Sequence, residues 1–201
     1  MAYYGLLVGL GNPGRQYEYT RHNIGFRVVE RFCQHMAAQP QNRGRKAAQA
    51  LLFEVRFGDG LWLVACPQTF MNLSGKTVAV LSRVHGFVPE QILVIHDELD
   101  LVPGTVQFKR GGGLAGHNGL RSIAGDIGSR DFFRLRLGIG RPASGSEVAS
   151  YVLADFPSAQ RELVTEMVDR AVLALQEYIE KGMEEAMQVV HGGSLSGKKR
   201  P

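Results

Sequence analysis

Apolar segments of strand length alternate along this 201-residue chain with longer segments of helical periodicity. Tyr4–Val8 and Ile92–His96 are short, continuous apolar runs, which is typical of strands buried on both faces. Leu51–Phe57 and Leu61–Ala65 flank Gly58-Asp59-Gly60, a pattern typical of a hairpin. Strands interleaved with helices, plus one hairpin, predict a single α/β domain. Its central sheet is expected to be mixed, largely parallel, twisted and flanked by helices.

Helices are predicted where apolar residues recur every three or four positions. The predicted helices are Ile24 to Met36, Ser74 to Val84, Asn118 to Ile127, and Ser158 to the residue before Gly182. The buried face of the last helix is predicted to carry five residues: Leu163, Met167, Ala171, Leu175 and Tyr178. A further strand, Phe133–Ile139, alternates apolar residues with Arg134 and Arg136, which predicts both guanidinium groups on one face.

Composition limits the class of protein. A hydrophobic content of 44% suffices for a core, and Cys33 and Cys66 form no metal or disulfide pattern, so we expect them to be reduced core residues. A net charge of +4 is compatible with a polyanionic partner without requiring one. With no targeting or membrane-spanning segment, the chain is expected to be cytoplasmic. We predict a catalytic domain over residues 1–191 and a disordered basic tail over 192–201.

Polar residues follow two of the predicted strands. Asn12 follows the first strand, and Asp97 follows the strand Ile92–His96. Ligands of open α/β sheets gather beyond the carboxyl ends of the strands, so we expect both residues at one edge of the sheet. His22, in the segment after the first strand, could reach the same edge.

Three other types of site are disfavoured by their sequence context. Gly9-x-Gly11-x-x-Gly14 formally matches a dinucleotide-binding loop, but helical periodicity begins only near Ile24 and Pro13 removes a backbone donor. The acids that follow His96 do not have the spacing of a known metal motif, and turn formation explains them more simply. No Gly-x-Ser-x-Gly segment is present for serine catalysis.

One histidine, one acid and several amides together suit the hydrolysis of an ester by water. Histidine titrates near neutrality and can take a proton from water, while an acid fixes its tautomer. Amide side chains can orient the water or donate to an oxyanion. Each residue also has a structural explanation: Asn12 could form a turn, Asn72 could lie in a loop or cap, and Asn118 could be the N-cap of its helix.

Several sequence blocks together resemble one known family. In chain order they are Val8-Gly9-Leu10-Gly11-Asn12-Pro13-Gly14 with Tyr17 and Thr20-Arg21-His22-Asn23-x-Gly25, Thr69-Phe70-Met71-Asn72-Leu73-Ser74-Gly75-Lys76, His96-Asp97-Glu98-Leu99-Asp100, Gly111-Gly112-Gly113 through Gly116-His117-Asn118-Gly119-Leu120, and Arg134-Leu135-Arg136-Leu137-Gly138-Ile139-Gly140. From Leu7 to about Phe156 the chain is similar to the bacterial peptidyl-tRNA hydrolases. Gln107 stands where a basic residue is expected, and Arg121 replaces a lysine. Residues 43–46 and those after Phe156 match only loosely.

The resemblance implies hydrolysis of the ester between the peptide and the 3′-terminal ribose of tRNA, which recycles tRNA from prematurely released peptidyl-tRNA. His22 would be the general base that activates water, and Asp97 would hold its imidazole. Asn12 would distinguish N-blocked substrates from free aminoacyl-tRNA, because a side-chain amide can hydrogen-bond to a peptide carbonyl that the free ammonium group lacks. Asn72 and Asn118 would bind substrate and water.

The resemblance also implies how the substrate is held. Tyr17, Phe70 and Met71 would line the groove for the tRNA 3′ end or the peptide. Lys109 and Arg136 would bind the tRNA 5′-phosphate. No metal or organic cofactor is implied, and the enzyme is expected to be monomeric. Two alternatives remain open: an RNA-binding relative that has lost activity, and a hydrolase of another small ester or amide.

Overall fold

The computed structural model describes residues 2–41, 48–142 and 148–191. The strands in these ranges are β1 (Gly5–Gly9), β2 (Gln39–Gln41), β3 (Ala50–Phe57), β4 (Gly60–Pro67), β5 (Ile92–Glu98), β6 (Val106–Arg110) and β7 (Phe133–Gly138). The helices are α1 (Ile24–His35), α2 (Ser74–His85), α3 (Asn118–Ile127), α4 (Val148–Val152), α5 (Arg161–Lys181) and α6 (Met183–His191).

The strands form one mixed sheet in the order β2-β3-β4-β1-β5-β7-β6. The four central strands, β4, β1, β5 and β7, are parallel to one another. β3 pairs antiparallel with both of its neighbours, and β6 pairs antiparallel with β7. The predicted single α/β domain with a mixed sheet is therefore confirmed, and its parallel part lies at the centre, where β1 is adjacent to β5.

Each central strand is buried on both faces because helices cover both sides of the sheet. Leu7 and Ile95 face a core built with α1, α5 and α6, while Leu6 and Val94 face a second core built with α2 and α3. This double coverage explains why β1 and the first four residues of β5 are continuously apolar rather than alternating. No helix in the described part of the chain is both long enough and apolar enough to cross a membrane.

The predicted helices are confirmed, and α3 begins and ends at the predicted residues. β5 continues beyond its predicted end, so that Asp97 lies inside the strand rather than after it. On α5, Leu163 is 38% exposed and Val164 is buried in its place, which corrects the predicted face. β2, α4 and α6 were not predicted. The predicted basic tail, residues 192–201, lies outside the described residues.

Gly25, in the first turn of α1, lets the helix approach the carboxyl edge of the sheet closely. A Cβ atom at this position would lie 2.4 Å from the carbonyl oxygen of Ile95 and 2.6 Å from the backbone of Leu10. Both contacts are with backbone atoms, which cannot rotate away. Only glycine therefore allows α1 to begin so close to β1 and β5.

We expect Gly25→Ala to lower the free energy of unfolding by roughly 1–3 kcal/mol, the usual cost of overpacking. Gly125→Ala is the matched control, because Gly125 lies in α3 and a Cβ atom added there would meet open space. There alanine should raise stability by about 0.5–1 kcal/mol through helix propensity alone. Urea unfolding followed by circular dichroism measures both changes. Equal effects of the two substitutions would show that the close approach at Gly25 contributes nothing.

Candidate active site

His22 is held in a short 3-10 turn, Arg21–Asn23, that leads directly into α1. The Arg21 guanidinium fixes this turn by donating to the carbonyl oxygens of Tyr151 and Ala154, each at 3.1 Å, and it lies 4.0 Å from the centre of the Tyr151 ring. The segment containing α4 therefore supports the turn from outside. This support fixes the backbone turn that carries His22.

His22 and Asp97 meet at the carboxyl edge of the sheet, as expected from the sequence. Nδ1 of His22 lies 2.8 Å from Oδ1 of Asp97, and both side chains are buried. Burial by itself lowers the pKa of His22, but the charge and the hydrogen bond of Asp97 outweigh it and raise this pKa above its ordinary value. With Nδ1 donating to Asp97, Nε2 has no partner among the described residues and can accept a proton.

His117 also contacts Asp97, which the sequence analysis did not predict. Its Nε2 lies 3.0 Å from the same Oδ1 atom, so two imidazole rings share one carboxylate oxygen. Burial would raise the pKa of Asp97, but its two histidine partners hold this pKa well below the ordinary range. His117 is also the N-cap of α3, because its Nδ1 accepts from the backbone of Gly119 and Leu120. The N-cap is therefore His117 and not Asn118.

His96 lies beside this pair without joining it. Its Nδ1 donates to the backbone oxygen of Asp97 at 2.7 Å, and its ring packs edge-on against His117 at 5.0 Å. Burial lowers the pKa of His96 to about 3, so the ring is neutral. His96 therefore supports the strand end from within the core.

Asn12 is fixed by hydrogen bonds on two sides. Its backbone exchanges two hydrogen bonds with the Asn23 side chain, at 2.8 and 2.9 Å. Its side-chain oxygen accepts from the backbone N–H of Met71 at 2.8 Å. Among the described residues, none accepts from the Asn12 amide nitrogen. The N–H₂ group is therefore the part of this side chain that is left without a partner and can donate to a ligand.

A cavity of about 410 Å³ contains His22 and Asp97 in its walls, with Asn118 and the apolar residues Val148 and Val152 of α4. Asn118 is exposed at the start of α3. The remaining predicted groove residues are near Asn12. Tyr17 follows it in the chain, and Phe70 and Asn72 flank Met71, whose backbone N–H donates to the Asn12 side chain. Of these, Phe70 and Asn72 are exposed, Tyr17 is half-buried and Met71 is buried. Met71 therefore contributes its backbone N–H to this site.

His22, Asp97 and His117 could together be considered metal ligands, since one ligand atom of each lies within 4.8 Å of the others. The hydrogen bonds disfavour that use. Because Nδ1 of His117 accepts from the start of α3, the ring proton is on Nε2, the atom that would have to bind the metal. Metal binding would therefore require the loss of this helix cap.

A larger cavity, of about 600 Å³, lies between α1 and the β3–β4 hairpin. Cys33 and Cys66 line it, and both are buried free thiols, as predicted. Burial raises the pKa of Cys33 to about 12 and that of Cys66 further, so neither is a nucleophile. The residues that line this cavity include no histidine, and we assign the chemistry to the smaller one, which contains the pair His22 and Asp97. The dinucleotide-binding alternative is also removed, because such a loop leads directly into a helix, whereas α1 begins only at Ile24, well after Gly14.

The basic residues predicted to bind phosphate lie on β6 and β7. Lys109 has no ion pair or hydrogen bond within the described ranges, whereas Arg136 pairs with Glu98 at 3.5 Å and donates to Gln107. Arg134 is 1% exposed and donates to the carbonyl oxygen of Gly113 at 2.8 Å. The two guanidinium groups lie on one face of β7, as predicted, but the glycine-rich loop covers Arg134 and leaves it no access to a phosphate.

Comparison with known proteins gives one consistent family. The family model described as peptidyl-tRNA hydrolase matches residues 6–199. The chain is 46% identical over 187 residues to a peptidyl-tRNA hydrolase of Leptothrix cholodnii, covering 92% of this chain and 86% of that protein. It is 42% identical over 207 residues to the peptidyl-tRNA hydrolase of Desulfovibrio desulfuricans, covering 100% of this chain and 89% of the relative.

The fold is also similar to that of a solved enzyme. The crystal structure of peptidyl-tRNA hydrolase from Acinetobacter baumannii superposes with a TM-score of 0.87 at 36% sequence identity. The alignment covers 94% of this chain and 95% of that one. The similarity therefore extends over the whole α/β domain.

We expect Asp97→Asn to lower the pKa of His22, because an amide cannot stabilise the imidazolium. An NMR titration of the His22 ring in both proteins measures the change. Asp100→Asn is the control, since Asp100 is an exposed acid whose carboxylate pairs with Arg141 rather than with either histidine. An unchanged or higher pKa of His22 in Asp97→Asn would mean that Asp97 is not its charged partner.

Proposed function

This chain belongs to the peptidyl-tRNA hydrolase family and hydrolyses peptidyl-tRNA, and we propose that it does so with a water molecule activated by His22. The observation that carries this proposal is the buried hydrogen bond between Nδ1 of His22 and Asp97, 2.8 Å long, in the wall of the cavity. It leaves Nε2 as the proton acceptor and supplies a fixed anion to stabilise the imidazolium.

In the proposed reaction, Nε2 of His22 takes a proton from water while the water oxygen bonds to the carbonyl carbon of the ester. The carbonyl π bond opens to give a tetrahedral oxyanion. When the intermediate collapses, the bond to the 3′-terminal ribose oxygen breaks, and that oxygen receives the proton from His22. The products are a tRNA with a free hydroxyl group and a peptide with a new carboxyl group, which releases its remaining proton to solvent at neutral pH to become a carboxylate. The enzyme is unchanged.

Asn12 is proposed to select N-blocked substrates. Its oxygen already accepts from the backbone of Met71, which turns the N–H₂ group, a donor without a partner among the described residues, toward a ligand. A peptide carbonyl accepts from such a donor, but the ammonium group of a free aminoacyl-tRNA cannot. This polarity supports discrimination against aminoacyl-tRNA.

The exposed amides are proposed to hold the reacting groups. Asn72 and Asn118 would bind the substrate and the water, and either could donate to the oxyanion. Phe70, which is 56% exposed, and the half-buried Tyr17 offer aromatic faces on which a terminal adenine can stack. Met71 would support this groove from below, since its side chain is buried.

The proposed clamp for the tRNA 5′-phosphate consists of Lys109 and Arg136. Lys109 carries an unpaired charge among the described residues, while Arg136 is held beside Glu98, the neighbour of Asp97 in β5. Gln107, rather than a second cation, lies opposite Arg136 in the sheet. Phosphate binding by this clamp would be independent of the tRNA sequence.

We also propose that the enzyme works as a monomer without a metal or cofactor, in the cytoplasm. All the proposed residues come from one chain, so no second subunit is needed to complete the site. The ester is activated enough for a positioned water and one base. The cytoplasm is where peptidyl-tRNA is formed by translation.

The central test is the release of tRNA from an N-acetylated aminoacyl-tRNA. We expect His22→Ala to lower kcat by roughly 10²–10⁴-fold, the usual range for a lost general base, while leaving the fold intact. His35→Ala is the control because His35 is an exposed histidine at the end of α1. Activity of His22→Ala within about tenfold of the parent would remove His22 from the mechanism.

The same assay separates the two alternatives. An RNA-binding relative without activity would bind the substrate and release nothing. A hydrolase of small esters would cleave simple esters and would be unaffected by tRNA-binding substitutions. The proposed function also requires that free aminoacyl-tRNA is hydrolysed much more slowly than the N-acetylated form.

Lys109→Ala should weaken binding to all tRNAs alike and lower the slope of log affinity against log salt by about one unit. The loss should almost vanish on a substrate whose 5′-phosphate has been removed. Lys181→Ala is the control because it removes the same charge from the end of α5. Equal losses on both substrates would contradict the clamp. Lys109 is a cleaner test than Arg136, whose removal would leave Glu98 without its ion pair.

A further inference from the structure

Asp97 receives a second hydrogen bond that the proposed mechanism does not use. Oδ1 of Asp97 accepts from His22 at 2.8 Å and also from Nε2 of His117 at 3.0 Å. The two rings are tilted by 42° with their centres 4.9 Å apart, so they approach the oxygen from different directions. One carboxylate oxygen is thus held between two donors that come from distant parts of the chain.

The tautomer of His117 is fixed by the helix that it caps. Its Nδ1 accepts from the backbone N–H of Gly119 at 3.1 Å and of Leu120 at 3.4 Å. A ring nitrogen that accepts carries no proton, so the single ring proton of His117 must be on Nε2. That atom faces Asp97. His117 is therefore a permanent donor to the carboxylate and cannot itself act as a base from Nδ1.

We propose that His117 is a positioning residue for the hydrolysis, which acts by holding the Asp97 carboxylate in the orientation that receives the His22 proton. This inference rests on the proposed function, in which Asp97 orients the general base. A carboxylate on its own is poorly fixed, because rotation about its terminal bond is soft. A second donor on the same oxygen removes that freedom. Through Asp97, His117 would thereby determine the orientation of the His22 ring without contacting the reacting atoms.

The neighbouring polar and charged side chains do not replace this donor. His96 uses its Nδ1 on the backbone oxygen of Asp97, not on the carboxylate. Arg141 lines the cavity but pairs with Asp100, and Arg136 pairs with Glu98. Among the described residues, His22 and His117 are thus the only side chains that donate to this carboxylate.

Two substitutions separate positioning from capping. In His117→Asn, the shorter amide can accept from the start of α3, since asparagine is a favoured N-cap, but it cannot reach Asp97. In His117→Gln, the longer amide can donate to Asp97 but is a poor cap. The asparagine variant therefore keeps the cap and loses the donor, while the glutamine variant does the reverse.

We expect His117→Asn to retain the parental melting temperature and to lose roughly tenfold to a hundredfold in kcat, the usual effect of one hydrogen bond to a charged group. His117→Gln should melt lower and retain most of the activity. KM should change little in either variant. The exchange-protected Nδ1–H resonance of His22 in the proton NMR spectrum should persist in the glutamine variant and broaden in the asparagine variant.

A purely structural cap would give the opposite order, with full activity in His117→Asn and a loss in His117→Gln, and this result would overturn the inference. A double-mutant cycle provides a second test: in an Asp97→Asn background, His117→Asn should cause little additional loss. Additive losses would show that His117 acts other than through Asp97.

The outcome of His22→Ala separates this inference from the function on which it rests. If His22→Ala abolishes activity and His117→Asn does not impair it, the positioning role fails while the proposed base stands. If His22→Ala remains active, both fail.

Discussion

A buried carboxylate at the end of a central strand is the constraint on which the site depends. Asp97 is 3% exposed, and a buried charge is destabilising unless it is paired and hydrogen-bonded. Its partners come from two segments that are far apart in the chain: the turn before α1, with His22, and the loop before α3, with His117. Both segments must therefore reach their native positions before the charge is satisfied. The site and the folded state are coupled through this one oxygen.

The parallel pairing of β1 with β5 makes this convergence possible. Asn12 follows β1, and Asp97 lies near the end of the adjacent β5, so the topology brings two distant residues to one edge. The turn that contains His22 can reach the same edge because Gly25 lets α1 begin in contact with the backbone of both strands. A side chain at that position would push the helix, and with it the imidazole, away from the carboxylate. The close approach of α1 at Gly25 is therefore needed both for the packing of the fold and for the position of His22 beside Asp97.

Local patterns in the sequence predicted most of the fold and the central pair of the site. Glycine marks the end of α2 and of α3, with left-handed backbone at Gly86 and Gly128, so those helix ends could be predicted. The alternation of Arg134 with apolar residues correctly placed its side chain on one face. It could not show that the following glycine-rich loop would bury that face. The contact of His117 with Asp97 was missed for the same reason, since it depends on where a loop lies in space.

The two histidines that share Asp97 differ in what occupies their other nitrogen. In His117 that nitrogen caps α3, so a second proton would remove the cap and add a positive charge at the positive end of the helix. In His22 the other nitrogen is Nε2, which has no partner among the described residues. The His22 side chain lines the cavity. The nitrogen placed to receive a proton from water is therefore Nε2 of His22. Confining the proton to that ring keeps it available to the departing ribose oxygen, which must receive it before tRNA can leave.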